Sequence, residues 1–241
     1  MPLPNAEILS RACEYPYSFP LKSYLFRSRT PDILFNFVGT DTQGRTPVLA
    51  FGSNQSPLRL AQKFGHDESH IIPVERAVLS DFDVGYSAHI TNYGAVPAML
   101  QHAPKTQITV AITWLDNKQL QIMHASEIKA ANYHFAALED VKLTHENGHQ
   151  SDIAYAYIGT RGQLTKDGLG ISLSAIKCEG RKAHSMTTRQ ALGYIHQQLK
   201  PNLDFESFII KLIEDIDFRH SITDVLSKSS LPFNYNYRII K

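Results

Sequence analysis

Pro47-Val48-Leu49-Ala50-Phe51-Gly52-Ser53-Asn54-Gln55-Ser56-Pro57-Leu58-Arg59-Leu60 reads as a strand, a tight turn and the start of a helix. Val48 to Phe51 form an apolar run that stops at Gly52-Ser53-Asn54. Ser56 suits an N-cap, Pro57 the first helical position, and Gly65 lies just past the apolar set Leu58, Leu60, Ala61 and Phe64. Glycine at 52 permits a positive φ and a close backbone approach. Backbone N–H groups at an incoming helix start suit a carboxylate or an oxyanion. Such turns are mostly structural, so a second feature is needed before this one means function.

Outward from the turn, residues 71–115 and 132–159 read as strands. Val78, Val84, Tyr86, Val96, Ile108, Val110, Ile112 and Trp114 put β-branched and aromatic residues at near period-2 spacing. The same character recurs over 133–143 and 153–158, with Asn147-Gly148 between them as a hairpin signal. One short helix is expected over 117–126, with Asp116 and Gln119 spaced as a capping box. Leu192, Ile195 and Leu199 then recur at helical spacing up to Pro201, and Phe205, Phe208, Ile209, Leu212, Ile213 and Ile216 form one amphipathic stripe. Ser221 with Asp224 resembles the start of a further short helix. Residues 1–46 mix aromatics with helix breakers and are expected to be an arm packed on the body, with a short helix over 32–37. The expected organisation is this arm plus a single domain over 47–241. Strands first and helices later point to an α+β fold, a curled or closed sheet with flanking helices.

With 241 residues, 43% hydrophobic and 20% charged, the chain can bury a sizeable core. Lys plus Arg number 24 and Asp plus Glu 23, a net +1, which supplies neither a nucleic-acid footprint nor a polybasic membrane anchor. No apolar run approaches the roughly 20 residues of a membrane helix, and residues 1–10 lack a secretory pattern. Cys13 and Cys178 stand without a C-x-x-C, against a disulfide framework or a thiolate zinc site. A soluble, cytoplasmic protein with no nucleic-acid or membrane partner is expected.

Several motifs reduce to ordinary structure. His145-Glu146-Asn147-Gly148-His149 matches H-E-x-x-H, but Asn-Gly breaks the helix that zinc chemistry requires, so a turn and no metal are expected. His66 and His70 fall after Gly65 in a polar stretch, expected to be a solvated loop. Gly85-Tyr86-Ser87-Ala88-His89 misses G-x-S-x-G at its last position. Lys177, Arg181, Lys182 and Arg189 are expected to be a solvated face. Glu127 is different. At about 100° per residue from Leu120, Met123 falls at about 300° and Glu127 at about 340°, so its carboxyl shares the apolar stripe. Burial and the helix C-terminus would both push its pKa upward, as a general acid/base near neutrality requires. If the helix ends one residue earlier, Glu127 turns to solvent instead.

Taken together, these residues resemble the γ-glutamylcyclotransferase-like family. Its strand-borne Tyr-Gly-Ser-Asn reads Phe51-Gly52-Ser53-Asn54 here. Its glutamate after a Trp-bearing strand and a short helix corresponds to Glu127, which lies 73 residues beyond Asn54. Gly94-Ala95-Val96-Pro97-Ala98-Met99-Leu100 resembles the family's Gly-x-x-Ala-Thr-Ile strand, and Tyr133 matches a tyrosine found near the site. The resemblance covers residues 47–200. It implies a small mixed β-barrel with flanking helices and conversion of a γ-glutamyl amine or peptide to 5-oxoproline and the free amine. Glu127 would be the acid/base, Phe51, Gly52, Ser53, Asn54, Gln55 and Tyr133 would bind substrate, and no cofactor would be needed. Phe51 replaces the usual Tyr, Ile128 a Gly after the glutamate, and Ala111 a strand Gly. The alternatives are a binding or regulatory protein with the same pocket, and an amide hydrolase using Ser53 or Ser87.

Overall fold

The structure, a computed structural model, describes residues 5–30, 36–37, 39–65, 69–128 and 132–241. Helix α1 (Asn5–Cys13), strands β1 (Tyr24–Arg27) and β2 (Thr46–Ala50) and helix α2 (Pro57–Phe64) come first. Two long strands follow, β3 (Ile71–Tyr86) and β4 (Ala98–Leu115), then helix α3 (Asn117–Glu127) and strands β5 (Tyr133–Leu138), β6 (Lys142–His145), β7 (Gln150–Ser151) and β8 (Ala154–Gly159). Short strands β9 (Thr165–Lys166), β10 (Leu169–Leu173), β11 (Cys178–Glu179) and β12 (His184–Met186) lead to helices α4 (Thr188–Leu199), α5 (Phe205–Glu214) and α6 (Ile216–Lys228) and to strand β13 (Tyr237–Ile239).

The fold is α+β. Its sheet runs β12-β10-β3-β4-β2-β8-β5-β13 and is mixed: β2–β8 and β10–β12 pair in parallel, the other neighbours on this path antiparallel. The barrel expected from the sequence is a curled half-barrel, since this path does not close on itself. The β3–β4 ladder shifts register between Ser80 and Phe82, where Asp81 takes a φ of 65° and accepts from the Lys105 amide at 2.8 Å. An extra residue at such a point bends and twists the strand pair.

Strand β2 accounts for the apolar run from Val48 to Phe51. Leu49 and Phe51 enter the larger core cluster, whereas Val48 and Ala50 enter a second cluster with Leu60, Phe64, Met123 and Phe135. Alternate residues face opposite sides, and both sides are buried. Helix α2 closes at Gly65, whose φ is 64°.

Four expectations need correction. The stripe over 205–216 is broken at Asp215, which ends α5 and caps α6 through its side chain and the Phe218 amide at 2.9 Å. Ser221 therefore lies inside α6, donating back to the Phe218 carbonyl, and starts no helix. His70 is buried against the Phe64 ring, not solvated, and its amide donates to Ser28 Oγ; His66 lies outside the described residues. Arg181 leaves the expected solvated face for a paired contact with Asp83 at 2.7 and 2.9 Å, because burial of Asp83 demands a cation. Most of the helix expected over 32–37 also lies outside the described residues. Earlier in the chain, Ala12 and Tyr15 join the main core and β1 pairs with β3. Among the described residues, no helix is long and apolar enough to cross a membrane.

Candidate active site

Past β2 the chain makes a single 3-10 turn over Ser53–Gln55. Gln55 and Ser56 amides close it onto the Gly52 and Ser53 carbonyls, at 3.3 and 2.9 Å. Those of Gly52, Ser53 and Asn54 donate to no backbone carbonyl among the described residues. Glycine is required at 52 for space and not for a positive φ: its φ is −130°. A Cβ there would overlap Tyr15 Oη and meet Ala98 Cβ at 2.9 Å. Tyr15, from the N-terminal segment, accepts from the Ala98 amide at 2.8 Å. Its phenol thereby stands against the turn at Gly52. Burial pushes that phenol's pKa up to about 12, so it stays protonated at neutral pH.

Helix α3 starts with both bonds of a capping box, Gln119 N to Asp116 Oδ1 at 2.8 Å and Asp116 N to Gln119 Oε1 at 3.1 Å. Fixed at that end, it buries Met123 and finishes at Glu127. Glu127 Oε1 accepts from Asn54 Nδ2 at 3.1 Å and from Lys63 Nζ of α2. The side chains of Lys63 and Glu127 are only 3% and 17% exposed, so this is a buried ion pair. Burial by itself would raise the Glu127 carboxyl, as the sequence reading expected. Lys63, with help from Asn54, outweighs it and holds the carboxyl below its ordinary value. Burial in turn lowers the Lys63 ammonium, against the opposing pull of Glu127.

Phe51, Gly52, Ser53, Asn54, Glu127 and Tyr133 line one cavity of about 680 Å³. Gln55 does not. It is buried below the turn, donating to the Gly52 carbonyl at 3.3 Å and accepting from Arg76 Nη1 at 2.7 Å, because the 3-10 turn rotates it away from the wall. Tyr133 donates to the Ala98 carbonyl at 3.4 Å, and its edge meets His89. Burial raises its phenol well above the usual range. Asn54 Oδ1 is buried with no partner among the described residues.

Sequence reasoning missed Tyr15, Arg59, Lys63, His89, Tyr93, Arg161 and Arg219, all on or beside this cavity. A signal existed for Lys63, which follows buried Leu60 by three residues and precedes buried Phe64. His89 is buried, with Nδ1 2.9 Å from Ser87 Oγ, and its pKa is pushed down to about 3 by burial and then by Arg161. Ser87 thus has the histidine partner that the sequence did not reveal, but it is fully buried and absent from the cavity wall. A nucleophile must reach its substrate, so Ser87 orients His89. The H-E-x-x-H residues form the β6–β7 hairpin, with Gly148 at a φ of 84°. His145 there engages Glu75 Oε2 at 3.1 Å and Ser151 Oγ at 2.9 Å, so both ring nitrogens are occupied.

No protein-family model matches the chain, and no curated protein sequence does. Among solved structures, it is similar to a gamma-glutamyl cyclotransferase at 11% identity and a TM-score of 0.30, over 58% of this chain and 68% of the other. It is also similar to an Arabidopsis thaliana protein solved in solution, at 14% identity and a TM-score of 0.38, over 51% and 74% of the two chains. An uncharacterized Homo sapiens protein matches over 91% and 95%, at 11% identity and a TM-score of 0.30.

Proposed function

We propose that the protein is a cyclotransferase that converts a γ-glutamyl amine or peptide to 5-oxoproline and the free amine. The observation that carries this reading is the Asn54–Glu127 contact of 3.1 Å, which joins the turn after β2 to the carboxylate ending α3 on one cavity wall. With Lys63 beside it Glu127 is ionised at neutral pH, the state a general base must start from. It removes a proton from the substrate's α-ammonium. The freed nitrogen attacks the γ-carbonyl carbon within the same molecule and closes a five-membered ring. As the amide C–N bond breaks, Glu127 returns its proton to the departing nitrogen. The second proton, shed by the attacking nitrogen as it becomes the lactam N–H, follows the same path through Glu127, so the amine departs as its ammonium and no cofactor enters. The attack is intramolecular, so correct folding of the substrate in the cavity supplies much of the rate. Amides of Gly52 and Asn54 are the backbone donors available to the developing oxyanion.

Glu127→Gln keeps the size and the Asn54 contact but cannot carry a proton. It is expected to lower 5-oxoproline release from γ-glutamyl peptides by about 10² to 10⁴-fold, with substrate binding by calorimetry retained. Normal turnover by this variant would refute the assignment.

A further inference from the structure

Three guanidinium groups line the cavity, from three separate elements: Arg59 on α2, Arg161 just after β8, and Arg219 on α6. None of them has a carboxylate partner among the described residues, in contrast with Arg181 on Asp83 or Arg45 on Asp116. Among the described residues, Arg59 donates only to Gln62 Oε1 and lies over the Tyr93 ring, with its Nε buried and unpartnered there. Arg161 uses only its Nε among the same residues, on Asn132 Oδ1 at 3.3 Å. Arg219 is steadied by one terminal nitrogen on the Leu212 and Ile213 carbonyls, and its other nitrogens have no partner among the described residues. Among the described residues the one carboxylate on the wall is Glu127, already balanced by Lys63. Three arginines without an ion-paired carboxylate among those residues therefore border one cavity.

We infer that the substrate is a γ-glutamyl compound whose leaving amine is itself an acidic amino acid, its charged side group held by Arg161 and Arg219. This rests on the proposed reaction. A γ-glutamyl derivative of a neutral amino acid brings two carboxylates to three arginines, and a simple γ-glutamyl amine brings one. A third anion, carboxylate or phosphate, completes the match. Guanidinium suits either, because its planar fork offers paired donors. Arg219, Ile216, His220 and Thr223 all reach the wall from α6, so this helix shares the acid selectivity with Arg161.

The test compares kcat/KM for γ-glutamyl-glutamate against γ-glutamyl-glutamine, and for γ-glutamyl-O-phosphoserine against γ-glutamyl-serine. At least one acidic peptide is expected to exceed its neutral counterpart by about ten- to a hundredfold, the worth of a hydrogen bond to a charged group; which pair responds identifies the anion. Arg161→Gln and Arg219→Gln should each erode that preference. Because Arg219 also ties α6 to the end of α5, Arg161→Gln serves as the variant whose fold is not at stake. Equal kcat/KM within both pairs would overturn the inference while leaving the cyclotransferase reading intact. If no peptide yields 5-oxoproline, that reading fails separately. Calorimetric binding of the same four peptides then decides the acidic preference on its own, and equal affinities would overturn it.

Discussion

Replacing Lys63 with Met tests how the carboxylate is held. The exposures of 3% and 17% place the Lys63–Glu127 pair among buried ion pairs, where loss of one partner costs about 3–5 kcal/mol. In a chain of 241 residues that corresponds to roughly 6–20 °C in melting temperature. The pH dependence gives the sharper signature. In the wild type the folded carboxyl lies below its unfolded value, so its contribution to stability is present above the unfolded pKa and is lost as pH falls. In Lys63→Met, burial and the end of α3 are opposed by the Asn54 hydrogen bond and the weaker attraction of Arg59 alone, so the carboxyl rises above its unfolded value. Stability of the variant then declines as pH rises through that folded value. The gap between the two proteins should be small near about pH 4, where an unfolded Glu titrates, and widen to the full amount at neutrality. Lys63→Met combined with Glu127→Gln removes both charges and should recover most of the loss. Urea unfolding from pH 4 to pH 8 measures the wild type and both variants. A loss under about 1 kcal/mol at neutral pH, the scale of an exposed pair, a gap that does not change with pH, or a double variant no better than the single one would refute the reasoning.

Gly52→Ala should destabilise by about 1–3 kcal/mol through overpacking, since an added Cβ would collide with Tyr15 Oη and crowd Ala98 Cβ. Adding Tyr15→Phe should restore part of this in thermal melts, because Tyr15 Oη is the nearest atom in the way. Ser53→Ala is expected to keep 5-oxoproline release within about fivefold of wild type, the value of one neutral hydrogen bond; a dead Ser53→Ala beside an active Glu127→Gln would favour a serine hydrolase. Asp215→Ala removes a cap from α6 and should cost about 1 kcal/mol in denaturant unfolding. It should also weaken ligand binding, because α6 forms part of the cavity wall.

Local rules carried the reading of β2, the turn and α2, because Pro57 and Gly65 bracket the helix; Ser56 takes the N-cap position, although its hydroxyl makes no capping bond. The same holds for α3, whose Asp116–Gln119 cap fixes its start and, through helical periodicity, the side on which Glu127 emerges. Asn147-Gly148 likewise announced its hairpin. Where a local signal competed with a stronger one nearby, the sequence misled: Asp215 interrupts an apolar stripe whose spacing reads continuously across it.

The state of the site was decided elsewhere. Lys63 lies 64 residues before Glu127, and whether the carboxyl is raised or lowered depends on which of burial and that ammonium dominates. Tyr15 stands against Ala98 across 83 residues, and Gln55 leaves the wall because the turn rotates it toward Arg76. Arg161 and Arg219 join Arg59 only once the curled sheet and the last helices enclose a common space. Capping and periodicity act over one or two helical turns, so the chain's own order determines its elements. Charge balance in a cavity sums over groups that only tertiary packing brings together, and so it has no local trace in the sequence.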